Sequence, residues 1–344
     1  MIHVPIESLA SLPIWGLLAI IACLVVLLGK GADLLVEEAV ALASRWNIPT
    51  ILVGATIVSL GTTLPEAAVS VMAAVRGAPD IALGNAVGSI ICDTGLILGA
   101  ATLLSPLPLN QRIVNRQGWF QFAAGCLLIL SCIPFYSIHD TFTRGGMLPR
   151  FMGVVFLLLL VFYLWVSIRW SRDDSDTLTE ADGVSNHSEK TTCSGAIKLV
   201  VGILMVVFAS HLLIPVVRVT ALRLSIPQGI VSATIVAFGT SLPELVTAIA
   251  AVSKGHGELA VGNVIGADIL NVLFVAGASA SVTQPGLAAP PHFFSILFPA
   301  MFFILVTFRL AVVFSGPNLK RSFGLVLLGC YLLSTYYSYS HILL

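Results

Sequence analysis

Long apolar runs alternate with short polar breaks along nearly the whole chain. Crossing about 30 Å of hydrocarbon takes about 20 residues of helix. Ten runs meet that length, centred on 13–44, 50–75, 80–104, 118–138, 150–170, 195–223, 227–252, 258–281, 291–313 and 321–342. Between the fifth and sixth lies a polar stretch, Ser171 to Ser194, holding Asp173, Asp174, Asp176, Glu180, Asp182 and Glu189. It is too short of apolar residues to form a core and reads as a mobile linker. A plain tether is the simpler reading of it, a calcium-sensing segment the other. The pattern therefore predicts a five-helix half over 1–170, an acidic linker over 171–194 and a second five-helix half over 195–344.

The halves repeat each other at an offset of 178 residues. Pro49 to Ala100 and Pro227 to Ala278 align without a gap and agree at 20 of 52 positions. Self-similarity at a fixed period decides architecture ahead of any local signal. An odd number of spans per half makes the second copy enter the membrane from the opposite side, so the repeats are expected to be inverted. Lys and Arg in the loops favour one face by eleven to five, Arg309 being counted in the larger group. That bias places the linker in the cytoplasm and both termini outside. The start, MIHVPIESLASLP, lacks a basic leader region and is expected to run into a retained first span. Tyr331, Tyr336, Tyr337 and Tyr339 read as an aromatic belt at the outer interface.

Composition agrees with an all-α polytopic membrane protein. The 344 residues are 57% hydrophobic and 10% charged, with a mean hydropathy of +1.00, against about 25% charged residues in a soluble domain. Net charge is zero and pI about 7.0, so nothing points to nucleic acid. Expected partners are inorganic cations and the bilayer, with a monomer sufficient. The six cysteines fall singly, without metal or redox spacing, and read as packing residues.

The most polar part of each repeat falls where lipid should be. GTTLPE (Gly61–Glu66) and GTSLPE (Gly239–Glu244) occupy the second span of each half. Proline inside a helix frees a carbonyl of the preceding turn. Such a site survives in a membrane only where the freed group faces protein, water or an ion. Helices broken by Pro and Gly at the bilayer midplane are thus expected. Thr62, Thr63, Thr240 and Ser241 add hydroxyls; Glu66 lies four residues after Thr62, on one helical face, and Glu244 matches it after Thr240. The third span of the first half carries Asn85, Ser89 and Asp93 four apart, with Asn263, Ala267 and Asn271 as their counterparts. Gly84, Gly88, Gly262 and Gly266 suit close helix approach. Carboxylate, hydroxyl, amide and carbonyl oxygens without a soft ligand form a hard-cation set, fit for Ca²⁺, Na⁺ or protons. The structural alternative for Glu66 and Glu244 is a buried hydrogen-bond network. An ionised group at midplane is costly without compensation, which disfavours that alternative.

The motif pair GTTLPE and GTSLPE, each followed by GNxxG, resembles the two alpha repeats (about 49–100 and 227–278) of the calcium/cation antiporter superfamily, in its prokaryotic sodium/calcium exchanger branch. The resemblance implies that Glu66 and Glu244 share a central Ca²⁺ and border sodium sites. It implies that Thr62 and Thr240 lend oxygens to Ca²⁺, and that Thr63 and Ser241 belong to the sodium shell. It also implies that the first and sixth spans slide as a pair to alternate access. The protein would then be no enzyme and need no cofactor, Ca²⁺ and Na⁺ (or H⁺) being cargo, and it would reside in a prokaryotic inner membrane.

Two departures from that pattern stand out. The family often has an amide at the last stripe position of repeat one and an Asp in repeat two; here Asp93 and Asn271 are reversed. The three-carboxylate count (Glu66, Glu244, Asp93) survives the swap. Ala267 replaces a usual serine and cannot coordinate Na⁺, which raises Ca²⁺/H⁺ exchange as the alternative. Asp268 beside it either supplies the missing oxygen or turns to a neighbouring helix. Asp33, Glu37 and Glu38 on the first span read as end-of-helix charges or an ion path. His211 reads as a packing residue or a proton shuttle, and Asp80 and Glu258 as helix caps. An intramembrane enzyme is the distant alternative, and a channel would not need the carboxylate trap.

Overall fold

The computed structural model describes residues 12–134, 141–179, 192–224 and 240–342. Helix α1 spans Ile14–Trp46 and stops where Asn47 adopts φ 51° and turns its N–H back to Ser44 O. α2 (Thr50–Val75) and α3 (Pro79–Leu104) follow as a hairpin, and α4 is Gln111–Cys132. α5 is Arg150–Thr179, α6 Thr192–Arg223, α7 Leu242–Ser253 and α8 Gly257–Val282. α9 (Phe293–Ser315) and α10 (Arg321–Ile342) close the chain. Among the described residues, α1, α2, α3, α5, α6, α8 and α9 are long and apolar enough to cross a membrane. Residues 225–239, ahead of α7, lie outside the described residues, so the seventh span is seen only from Thr240 onward.

The observed limits follow the apolar pattern closely, with two differences of substance. α4 begins at Gln111, seven residues ahead of its apolar run, because Asn110 caps it by accepting from Ile113 N at 3.3 Å. Those roughly two extra turns carry Gln117 into the interior, where it is 0% exposed. α5 continues as helix through Thr179, into the stretch read as linker, and the remaining linker residues 180–191 lie outside the described residues.

The expected break at Gly61 and Pro65 is absent: Ser59–Val75 is continuous α-helix with Pro65 inside it. The irregularity sits a turn earlier, in a π-helical segment over Gly54–Val58, and similar segments interrupt α3 at Ile91–Ile97 and α8 at Asn271–Ala276. A π turn takes an extra residue into the helical ladder without breaking the rod. Pro65 still has no N–H for the Gly61 carbonyl, so the freed oxygen persists although the helix runs on through the motif. Gly239 lies outside the described residues.

The helix following the second motif is the centre of the molecule. α8 is buried nearly all round, 94% of its apolar window lying inside the protein. It lies against the start of α2 at van der Waals limits. A Cβ on Gly54 would come within 2.6 Å of Leu259 O, and those on Gly262 and Gly266 would strike Ile51 O and Ala55 O. α1 and α6 pack along each other and cross where Gly31 faces Met205 and Gly202 faces Leu35. The hairpins α2–α3 and α7–α8 turn at Gly77 and Gly255, φ 83° and 81°, which stand 178 residues apart.

Two short antiparallel pairs join the halves. β1 (Leu107–Pro108), between α3 and α4, pairs with β4 (Asn318–Leu319), which precedes α10. β2 (Gly146–Pro149), which precedes α5, pairs with β3 (Gly286–Ala289), between α8 and α9. Each half thus gives the other the same two strands.

Of the expected aromatic belt, Tyr336 and Tyr337 are 70% and 61% exposed, whereas Tyr331 packs against Gly95 on α3 and is 7% exposed; the side chain of Tyr339 lies outside what the structure describes. Arg309 is no loop charge. It is 6% exposed within α9, bonded to Asn115 Oδ1 at 2.8 Å and Val114 O at 3.4 Å, with its guanidinium 4.9 Å from the Trp119 ring centre. The loop bias stands without it.

The α2–α8 contact makes a direct prediction. Gly262→Ala adds a methyl where a carbonyl already sits and should cost on the order of 1–3 kcal/mol, the usual range for overpacking. A melting temperature in detergent equal to wild type would contradict the close approach.

Candidate functional site

The buried polar centre is built from α2, α3, α7 and α8. Glu66 on α2, Asp93 in the π segment of α3 and Glu244 in the first turn of α7 are each 1% exposed. Glu66 is within electrostatic reach of both Glu244 and Asp93. Neither oxygen of Glu66 has a hydrogen-bond partner, nor do Glu244 Oε2 and Asp93 Oδ1. Burying a carboxylate without compensation is strongly unfavourable, so this concentration of open oxygens in one place needs a cation to balance it.

Side chains of one repeat complete those of the other. Thr63 Oγ1 donates to Glu244 Oε1 at 3.4 Å, Asn271 Nδ2 donates to Asp93 Oδ2 at 3.4 Å, and Thr240 Oγ1 donates to Asn85 Oδ1 at 3.2 Å. Asn85 in turn donates from Nδ2 to Ser70 Oγ at 2.9 Å. Thr62 and Thr63 are both fully buried, Thr62 donating to Ser59 O at 3.3 Å. Ser241 (1% exposed) stands at the start of α7 with an unpartnered hydroxyl. Ser89 is buried at 3%, and Asn263 at 0% has neither amide atom paired. Among the described residues, no three carboxylates, imidazoles or thiols close tightly enough to form a metal cage alone. Hydroxyl, amide and carbonyl oxygens would have to complete any coordination shell.

Asp268 turns away from the position left by Ala267. Its Oδ2 accepts from the Thr94 hydroxyl and from Gln121 Nε2, while Oδ1 has no partner. Gln121 and Thr94 were not legible as site residues. The available signal was a glutamine pair, Gln117 and Gln121, four apart in a helix otherwise facing apolar neighbours. Gln117 accepts at Oε1 from the Tyr163 hydroxyl at 2.9 Å.

The other charged candidates lie away from this centre. Lys254, just past α7, donates to Glu37 at 2.6 Å and lies 3.2 Å from Asp33; Lys198 lies 3.3 Å from Glu38. The hydrogen bond to Glu37, with Asp33 adding to it, raises the Lys254 pKa above the ordinary lysine value. Asp33, Glu37 and Glu38 are thus engaged in ion pairs along the C-terminal half of α1. His211 is exposed on α6, and Asp80 and Glu258 sit in the first turns of α3 and α8 as expected of helix-end acids.

An apolar helical body with unpaired carboxylates buried at the junction of two repeats has the build of a membrane ion transporter. Residues 16–169 and 194–340 match the family described as sodium/calcium exchanger protein. The inner membrane protein YrbG of Escherichia coli is 32% identical over 302 residues, covering 87% of this chain and 89% of that one. The sodium/calcium exchanger MaX1 of Methanosarcina acetivorans is 28% identical over 330 residues, covering 89% and 93%. A solved structure of the sodium-calcium exchanger NCX_Mj superposes with a TM-score of 0.75 at 25% identity, over 94% of this chain and 98% of that one. The chain therefore belongs to the sodium/calcium exchanger family, within the calcium/cation antiporter superfamily. It is a membrane cation antiporter and not an enzyme.

If the open oxygens are a cation site, ions bind the folded state and stabilise it. At 100 times Kd, a single site contributes about 2.7 kcal/mol. Purified protein in Na⁺-free buffer with chelator should melt several degrees lower than with Ca²⁺, and Glu66→Gln combined with Glu244→Gln should erase the difference. A Ca²⁺ response that survives the double substitution would place the Ca²⁺ site elsewhere.

Proposed function

We propose that this antiporter exchanges Ca²⁺ for Na⁺ by alternating access around the Glu66, Glu244 and Asp93 carboxylates. The observation that carries the reading is the set of open carboxylate oxygens buried where the two repeats meet. Three carboxylates in low dielectric cannot stand empty and ionised. One divalent ion or several monovalent ions must fill them before the site changes sides, and mutual exclusion couples the two fluxes. Thr62, Thr63, Thr240, Ser241, Ser89, Asn85, Asn263 and Asn271 supply the remaining oxygens.

In this reading the chain has ten membrane helices in two inverted halves, with both termini outside and the linker cytoplasmic. The reciprocal strand pairs β1–β4 and β2–β3 support the two-fold relation, as do the turns at Gly77 and Gly255. α1 and α6, packed mainly on each other and crossing at paired glycines, suit a unit that slides across the rest. A prokaryotic inner membrane is the proposed location, with cations and lipid as the partners and a monomer as the working unit.

One observation favours a second reading. Ala267 is fully buried beside the site and brings no oxygen, so proton coupling through the same carboxylates is the alternative.

The test is ⁴⁵Ca²⁺ uptake into proteoliposomes under a Na⁺ gradient or a pH gradient alone. Uptake driven by Na⁺ is expected, and uptake driven only by protons would select the alternative. Glu66→Gln and Glu244→Gln should each reduce exchange at least 100-fold with normal membrane insertion; retained exchange in both would remove the mechanism. Ala267→Ser should increase the Na⁺ dependence, and an unchanged Na⁺ response would show that no sodium ligand was missing there.

A further inference from the structure

Among the described residues, four carboxylates rather than three occupy the buried centre. Asp268 on α8 is 2% exposed and within electrostatic reach of Asp93. Two helices hold it: Thr94 in the π segment of α3 and Gln121 on α4 both donate to Oδ2, and Gln121 Nε2 also reaches Thr94 Oγ1 at 3.2 Å. Its second oxygen, Oδ1, has no partner, and neither have Asp93 Oδ1 and the amide oxygen of Gln121. Donors fix one side of the carboxylate while the other side is left without hydrogen bond or countercharge.

The charge count makes that open side consequential. A divalent ion balances two of the four carboxylates. Among the described residues, no lysine or arginine is ion-paired with any of the four. The buried Arg309 is engaged with Val114, Asn115 and the Trp119 ring. The segment 225–239 leading to α7 contains no charged residue. Among the described residues, Asp93 on α3 is the acid within electrostatic reach of Asp268, and Glu66 on α2 and Glu244 on α7 lie within reach of Asp93; α4 presents the neutral Gln121. Uncompensated charge in such a core is strongly unfavourable.

We infer that Asp268, positioned by Thr94 and Gln121, binds one further monovalent cation, Na⁺ or a proton, which travels with the ions of the Glu66–Glu244 site. This rests on the antiport reading above. It also explains the local sequence: the hydroxyl missing at Ala267 is not replaced in place. A carboxylate one residue later serves a separate position toward α3 and α4.

Asp268→Asn removes the charge while keeping an acceptor for both donors. In proteoliposomes, the membrane potential at which ⁴⁵Ca²⁺ flux vanishes gives the charge moved per Ca²⁺. The substitution should lower the exchange ratio by one monovalent ion, detected against the Na⁺ gradient if the cation is Na⁺ and against the pH gradient if it is a proton. An unchanged ratio against both gradients overturns the inference. Independently of flux, the slope of melting temperature against the logarithm of ion concentration counts bound ions. Asp268→Asn should lose one ion from the Na⁺ or the pH slope and, without ions, be at least as stable as wild type. Wild-type slopes for both ions, or an Asp268→Asn protein that does not fold, overturn it too. If the unsubstituted protein shows no coupled Ca²⁺ flux under either gradient, the antiport reading fails, and the melting slopes still decide the role of Asp268.

Discussion

Negative charge held out of water is the constraint on which the rest of this structure depends. Glu66, Asp93, Glu244 and Asp268 are each at most 2% exposed, and every one of them has an oxygen without a hydrogen bond. A folded state like that is tolerable only with mobile positive charge in it. Features elsewhere in the molecule serve that condition. The tight approach of α8 to α2 at Gly54, Gly262 and Gly266 leaves no room for water between the helices that present the acids. The cross-repeat bonds Thr63 to Glu244 and Asn271 to Asp93 orient the carboxylates without neutralising them.

The π segments place function on otherwise regular rods. Asp93 and Thr94 lie within one and Asn271 begins another. A helix that takes in an extra residue rotates its downstream side chains relative to the upstream ones. In α3 this lets neighbouring residues serve two purposes: Asp93 meets Asn271 and Thr94 meets Asp268.

Much of this was legible in the sequence because apolar length and repeat period are global signals. The limits of α2, α3, α8 and α9 follow the apolar runs within two residues, and the motif acids fall together as the repeat implies. What the pattern could not carry was local. A polar helix start hid the first turns of α4, since Gln111, Arg112, Asn115 and Arg116 look like loop until Asn110 is known to cap them. Arg309 looked like a loop charge because nothing in its own neighbourhood announces that Asn115 and Trp119, nearly 200 residues away, will receive it. Pro65 predicted a break, but the helix runs through it and the irregularity lies upstream, at Gly54–Val58. Asp268 had two open readings, and the partner that decides between them, Gln121, sits on a helix whose inner face was not evident.

The strand exchange carries a consequence for the origin of the molecule. β1 finds its partner in β4 and β2 finds its partner in β3, so each half offers two edges that only the other half pairs. A single half made alone would expose both edges, and unpaired edges invite association. Two identical halves would satisfy one another by the same exchange, as a self-complementary dimer does. The linker between them then converts a bimolecular encounter into an intramolecular one and frees the copies to diverge. Asp93 opposite Asn271, and Asp268 opposite Ile90, are the marks of that divergence: in an ancestral pair of equal copies every acid would have had an identical counterpart in the other half, as Glu66 and Glu244 still do.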